Sequence, residues 1–249
     1  MARYKRFALN LLLLLMPGVS AFSENKKQTA PKKNNGGVPA PSQNTVKEVG
    51  TSDWTLETAT TRLWLTIQNH HPAIKEFKST VYAYNYTKVI SEIPLMKTVT
   101  DRGGTVYTLK WKYKKAILND ENTSVILVFT NRNPALEMKS IWKAERGRGP
   151  VEHSLEIINH SGETLTITQQ ESMGVTLQNE VDPTIWRFAK ESGEAEGTMG
   201  RSGTGVYREV LTVDETVLAW TSMQNNWNGN GFIPMLYSDY GEYGFYLGW

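Results

Sequence analysis

The sequence predicts an all-β fold, a large antiparallel β-sandwich over residues 51–249. Three observations carry this. Apolar side chains recur with a period of two along most of the stretch, Gly, Asn and Asp punctuate it at short intervals, and helical spacing is weak throughout. Roughly a dozen strand-like segments at close spacing, without an internal repeat, fit one sandwich better than a helical or α/β domain.

Residues 1–21 read as an export signal. Arg3, Lys5 and Arg6 form a positive start, Phe7 to Met16 is an apolar run broken only by Asn10, and Val19-Ser20-Ala21 supplies small residues for cleavage. The run is about half the ~20 residues that a membrane-spanning helix needs. The expectation is therefore an exported protein, periplasmic or extracellular, with no membrane span after signal cleavage; a short membrane anchor is the alternative.

Residues 22–50, rich in Lys, Asn, Pro and Gly, have little to bury and read as a disordered, solvated tether. They also explain the basic pI. The whole chain carries 27 basic and 25 acidic residues, but eight of the basic ones and only two of the acidic ones precede residue 51. The predicted sandwich is left net acidic, which argues against a nucleic-acid surface. The chain has no cysteine, hence no disulfide, no thiol nucleophile and no Cys-based zinc site.

The segments of the sandwich follow in order. Glu57 to Gln68 has room for one short helical turn. "FKSTVYAYNYTKVI" sets Tyr82, Tyr84 and Tyr86 on a single face, and "TVYTLKWKYKK" sets Tyr107, Leu109, Trp111 and Tyr113 against Thr108, Lys110, Lys112 and Lys114. "SVILVFTN" is continuously apolar, as in a strand covered on both sides. "GETLTITQQES", "GVYREVLTVDETVLAW" and "GFIPMLYSDYGEYGFYLGW" continue the alternation, with Gly and Asp/Glu turns between them.

Within "GRGPVEHSLEIINHSG" a glutamate and a histidine are adjacent, which invites an acid/base pair. Neighbours in a strand point to opposite faces, so Glu152 and His153 are not a dyad. His153 shares its face with Val151, Leu155 and Ile157, the place of a hydrogen-bonded core histidine or, alternatively, of a polar ligand contact. Glu152 and Glu156 fall on the solvated face.

"GRGPVEHSLEIINHSGETLTITQQES", with the downstream "NGNGFIPMLYSDYGEYGFYLGW", resembles the N-terminal β-supersandwich domain of family 36 glycoside hydrolases, the melibiase-like enzymes that are chiefly α-galactosidases. The resemblance spans roughly residues 53–249, and these two stretches carry it. It implies a carbohydrate setting and an architectural domain that packs on a catalytic (β/α)8 barrel or supports a homo-oligomer. The family's catalytic aspartates lie on that barrel, which would need about 250 further residues. None of them maps onto this chain, so the expectation is a domain without glycosidase activity of its own, and "GFYLGW" looks like the point at which a longer enzyme was cut.

Other constellations read as structure. Asp239-Tyr240-Gly241-Glu242 lies between two apolar strands and has the composition of a hairpin turn. Glu194 and Glu196 lie in the polar, glycine-rich "ESGEAEGTMGRSGTGVY", which lacks the Gly-Lys-Ser/Thr ending of a phosphate loop and the order of a dinucleotide fingerprint. His70 and His71, adjacent and followed by Pro72, lack the spacing of metal ligands, so neither metal nor cofactor is expected. The aromatic residues suit sugar stacking better. Trp227, flanked by Asn226 and Asn228 in "NNWNGNG", is the leading carbohydrate-contact candidate, followed by Trp186 in "DPTIWRFAK" and by His153. Besides the enzyme domain, a free-standing carbohydrate-binding module and a structural exported sandwich fit the sequence.

Overall fold

A computed structural model describes residues 8–14, 45–167 apart from 83, 88 and 148, then 176–177, 184–190, 204–210, 231–240 and 244–248. In chain order the strands begin with β1 (Ala8–Leu14), β2 (Thr45–Gly50), β3 (Asp53–Glu57), β4 (Thr61–Gln68), β5 (His71–Ser79) and β6 (Ser91–Glu92). They continue with β7 (Thr98–Asp101), β8 (Val106–Thr108), β9 (Lys112–Leu118), β10 (Ser124–Asn131), β11 (Leu136–Ala144) and β12 (Val151–Asn159). The last are β13 (Leu165–Ile167), β14 (Thr184–Lys190), β15 (Thr204–Val210), β16 (Gly231–Asp239) and β17 (Gly244–Gly248).

None of the described residues is helical, and every strand pair is antiparallel. Three open sheets result: a nine-stranded one in the order β15-β14-β16-β17-β1-β12-β11-β10-β9, a five-stranded meander β2 to β6, and a small β13-β7-β8. The all-β sandwich that the alternation predicts is the observed architecture.

One continuous core joins the sheets. Trp54, Leu56, Leu63, Leu65, Ile74 and Phe77 of the meander pack with Val125, Leu127, Phe129, Met138, Trp142 and Val151 of the large sheet. Trp54 meets Tyr113 at 6.3 Å between ring centroids, and Phe77 meets Phe245 edge-on at 5.0 Å. Burying aromatic side chains of this size is the main favourable term, about 1.5–3 kcal/mol for each large apolar side chain.

Several local expectations change. Tyr82, Tyr84 and Tyr86 do not line one strand: β5 stops at Ser79, whose hydroxyl oxygen accepts from the backbone N–H groups of Val81 and Tyr82, both at 3.2 Å. That turn leaves Tyr82 exposed, Tyr84 half-buried and Tyr86 buried. The stretch from Glu57 to Gln68 is strand and tight turn rather than helix, because Thr58 Oγ1 accepts from Thr60 N and Thr61 N and closes the β3–β4 corner. Residues 45–50, at the end of the stretch read as tether, form β2. Residues 8–14, in the stretch read as a leader, form β1, between β12 and β17.

The "TVYTLKWKYKK" segment keeps its predicted faces but is two strands in two sheets. β8 pairs with β7 and β9 with β10. Between them Lys110 N donates to Asn131 Oδ1 at 2.6 Å, and the buried Asn131 donates back to the Pro134 carbonyl at 2.7 Å, fixing the crossing. Beyond it β9 forms an edge of the large sheet, with a register shift against β10 at Val128/Phe129 and with Lys112, Lys114 and Lys115 exposed.

Candidate functional site

His153 sits in β12 with only 2% of its surface exposed. Its Nε2 lies 2.9 Å from Ser140 Oγ, and Trp142 Nε1 donates to the same oxygen at 2.8 Å. The imidazole stacks on Trp142, with centroids 4.0 Å apart and planes inclined by 14°. These contacts hold the ring inside the core. Glu152 lies on the opposite, outer face, as the alternation requires.

That outer face carries a ladder of charge. Lys139 pairs with Glu156 at 3.5 Å and Lys114 with Glu137 at 3.9 Å, while Lys143 is ion-paired to Glu145 and stands opposite Glu152 in register. The Lys143 hydrogen bond holds the Glu145 carboxyl below the usual glutamate range. Burial, followed by the charge of Glu145, pushes Glu152 up. Glu145 and Glu152 thus act on each other's protonation across the same lysine. On the outer strand face these residues form an ion-pair network.

The hairpin of β16 and β17 carries a different chemistry. Its register pairs Asp239 with Gly244, Ser238 with Phe245 and Tyr237 with Tyr246, so Tyr240 to residue 243 make the connection. β14 continues both rows, with Ile185 opposite Ser238 and Trp186 opposite Tyr237. Ile185, Ser238 and Phe245 are buried, which makes theirs the core-facing row. The alternate row, with Tyr237 opposite Tyr246, is therefore the outer one.

Tyr237 and Tyr246 are half-buried and stacked, with centroids 4.5 Å apart and planes at 27°. Gly244 makes room for this. A Cβ there would lie 2.4 Å from the Ser238 carbonyl oxygen and 2.6 Å from Tyr237 Oη, so only glycine lets the Tyr237 ring lie over the hairpin. Burial, then the charge of Asp239, pushes the Tyr237 hydroxyl up to about 12, so it stays protonated and both donates and accepts. Tyr82, 43% exposed, adds a smaller push in the same direction.

A second wall of rings supports the row from behind. Tyr84, Tyr86 and Tyr240 lie 5.2–5.4 Å apart, and Tyr86 meets Phe245 edge-on at 5.0 Å.

A cleft of about 550 Å³ opens elsewhere, over Ile93, Leu95, Met96, Leu109 and Trp111, with His71, Glu92, Lys97 and Lys110 at its margin. Trp111 donates its indole N–H to the Met96 carbonyl at 2.8 Å and is nearly buried, so the floor is apolar. Stacked aromatic rings with a carboxylate in the same hairpin are found at the tyrosine pair instead.

Among the described residues no group of three or more His, Asp or Glu is placed to hold a metal, and no helix is long and apolar enough to cross a membrane. No protein-family model, curated protein or solved structure matches the chain.

Of the residues singled out in the sequence, Trp186 stands opposite Tyr237 in the β14–β16 register, His153 falls in the core, and Trp227, Asn226 and Asn228 lie outside the described residues. Sequence reasoning missed Tyr237, Tyr246 and Tyr82. The signal was partial: a turn at Asp239 to Glu242 would set Tyr237 opposite Gly244, and the observed connection, one residue later, sets it opposite Tyr246.

Proposed function

We propose that this chain is a non-catalytic β-sandwich domain that binds carbohydrate on the outer face of β14, β16 and β17, in the setting of a family 36-like, α-galactoside-hydrolysing enzyme. The observation that carries the reading is the stacked Tyr237–Tyr246 pair beside Asp239 and the exposed Tyr82. Flat aromatic faces receive the C–H face of a pyranose, while a carboxylate and phenolic hydroxyls accept and donate to its hydroxyl groups. The sandwich architecture agrees with the sequence resemblance.

The test is a heteronuclear NMR or calorimetric titration of the full chain with melibiose and raffinose, and with maltose for comparison. Saturable binding that is lost in Tyr237→Ala and Tyr246→Ala is expected, with no hydrolysis of an aryl α-galactoside. Absence of binding to any of these sugars overturns the carbohydrate role, and turnover overturns the non-catalytic one.

A specific observation favours a second reading. Val81, Tyr82, Val89 and Ile90, within ten residues of one another in the chain, are all exposed, apolar surface that suits a protein partner such as a catalytic barrel or a second copy. In that case the tyrosine row is an interdomain contact, and the same titration is silent.

A further inference from the structure

The nine-stranded sheet consists of two four-stranded halves, β15-β14-β16-β17 and β12-β11-β10-β9, with β1 between them. On one side Ala8 to Leu13 pair with Glu156 to Val151. On the other, Leu12, Leu13 and Leu14 pair with Gly248, Leu247 and Tyr246. Both neighbours run antiparallel to β1 and hence parallel to each other. They are held apart by the width of the inserted strand, roughly 9.5 Å for two strand spacings.

The residues in this gap are the same residues whose pattern reads as an export leader. One segment thus faces two demands. Cleavage after Ala21 removes it, yet the sheet uses it as a central strand. Taking it away exposes two rows of unpaired N–H and C=O groups, on β12 and β17, facing each other across a strand-wide slot.

We propose that the space between β12 and β17 is a strand-acceptor site whose occupant is the chain's own Ala8–Leu14. The leader segment, while attached, completes the sheet by main-chain pairing. A chain that has lost it presents an acceptor for an extended apolar segment running antiparallel to both edges, the strand-addition mode of recognition. This inference is independent of the carbohydrate reading, because it rests on backbone pairing alone.

Hydrogen exchange decides it. The full chain, produced without export so that residues 1–21 remain attached, is expected to protect the amides of residues 9–13 along with those of 151–156. Exchange of residues 9–13 at free-peptide rates overturns the proposal. Leu12 and Leu13 have partners on both sides, so their N–H groups face β12 or β17 in either direction. Leu12→Pro and Leu13→Pro are expected to lower Tm and remove protection at 151–155 and 246–248, whereas Leu12→Val, which keeps the N–H, retains it. Unchanged Tm and protection in both proline variants overturn the assignment.

A chain starting at Phe22 is expected to lose protection at the alternate amides of 151–156 and 246–248 that faced β1, and to regain it with a synthetic peptide of residues 7–15 flanked by lysines. Full protection of those amides without the peptide means that β12 and β17 close on each other, which also overturns it. The two proline variants answer the question even where the shortened chain does not fold.

Discussion

The Tyr86 hydroxyl donates a hydrogen bond to the Gly244 carbonyl oxygen at 3.1 Å, joining residues 158 positions apart. The bond ties the loop after β5 to the start of β17, behind the outer tyrosine row. Tyr86→Phe keeps the ring contacts to Phe77 and Phe245 and removes only the donor. The expected cost is about 1 kcal/mol, read as a lower urea midpoint at unchanged slope.

Gly244→Ala places a methyl against the Ser238 carbonyl oxygen, a backbone atom with little freedom to give. Overpacking of this kind costs about 1–3 kcal/mol. Tyr237 must also leave its place over the hairpin, so sugar binding should fall further than stability does. Chemical denaturation and the melibiose titration, run on the same preparation, separate the two effects.

Ser140→Ala removes the oxygen that serves both Trp142 Nε1 and His153 Nε2 in the core. Two buried polar groups lose this partner together, and a loss of about 2 kcal/mol or more is expected. Ser140→Thr retains the hydroxyl and should recover part of the loss. Equal stability of Ser140→Ala and the parent chain would show that the three side chains contribute nothing jointly.

Glu145 and Glu152 act in opposite directions with pH. The folded-state value of Glu145 is depressed, so its contribution is present above the unfolded value and is lost as pH falls through the folded one. Glu152 has a raised folded value, so it opposes folding when ionised, and that opposition fades as pH falls below its folded value. Glu152→Gln should therefore be more stable than the parent at pH 7 and lose stability more steeply on acidification. Urea midpoints between pH 7 and pH 3 check both signs; a parallel pair of curves contradicts them.

The period-two pattern was enough to reveal the sandwich, because a strand with one face in the core must alternate. Tyr107, Leu109, Trp111 and Tyr113 face inward as their spacing requires. What the spacing hides is that the chain changes sheets between them, since the alternation survives the crossing at Asn131. Around Tyr82 a serine hydroxyl capping two backbone N–H groups outweighed the alternation, a local effect that periodicity does not register. The candidate site was legible only in part. Trp186 stood out as an aromatic residue, but its pairing with Tyr237, and that of Tyr237 with Tyr246, are set by register across β14, β16 and β17, a relation between distant segments rather than a property of any one of them.

The lysine-bearing edge at β9 has a consequence for how the protein behaves in a crowded solution. A sheet of nine strands offers its margin as a template on which other chains can polymerise. Here the margin is both irregular, through the shift at Val128/Phe129, and positively charged by Lys112, Lys114 and Lys115. An incoming strand would have to match a broken ladder and meet a lysine-rich edge on which Lys114 has Glu137 as its counter-ion, so fibrillar stacking through this side is disfavoured. Replacing these lysines with threonine would remove that protection without touching the core.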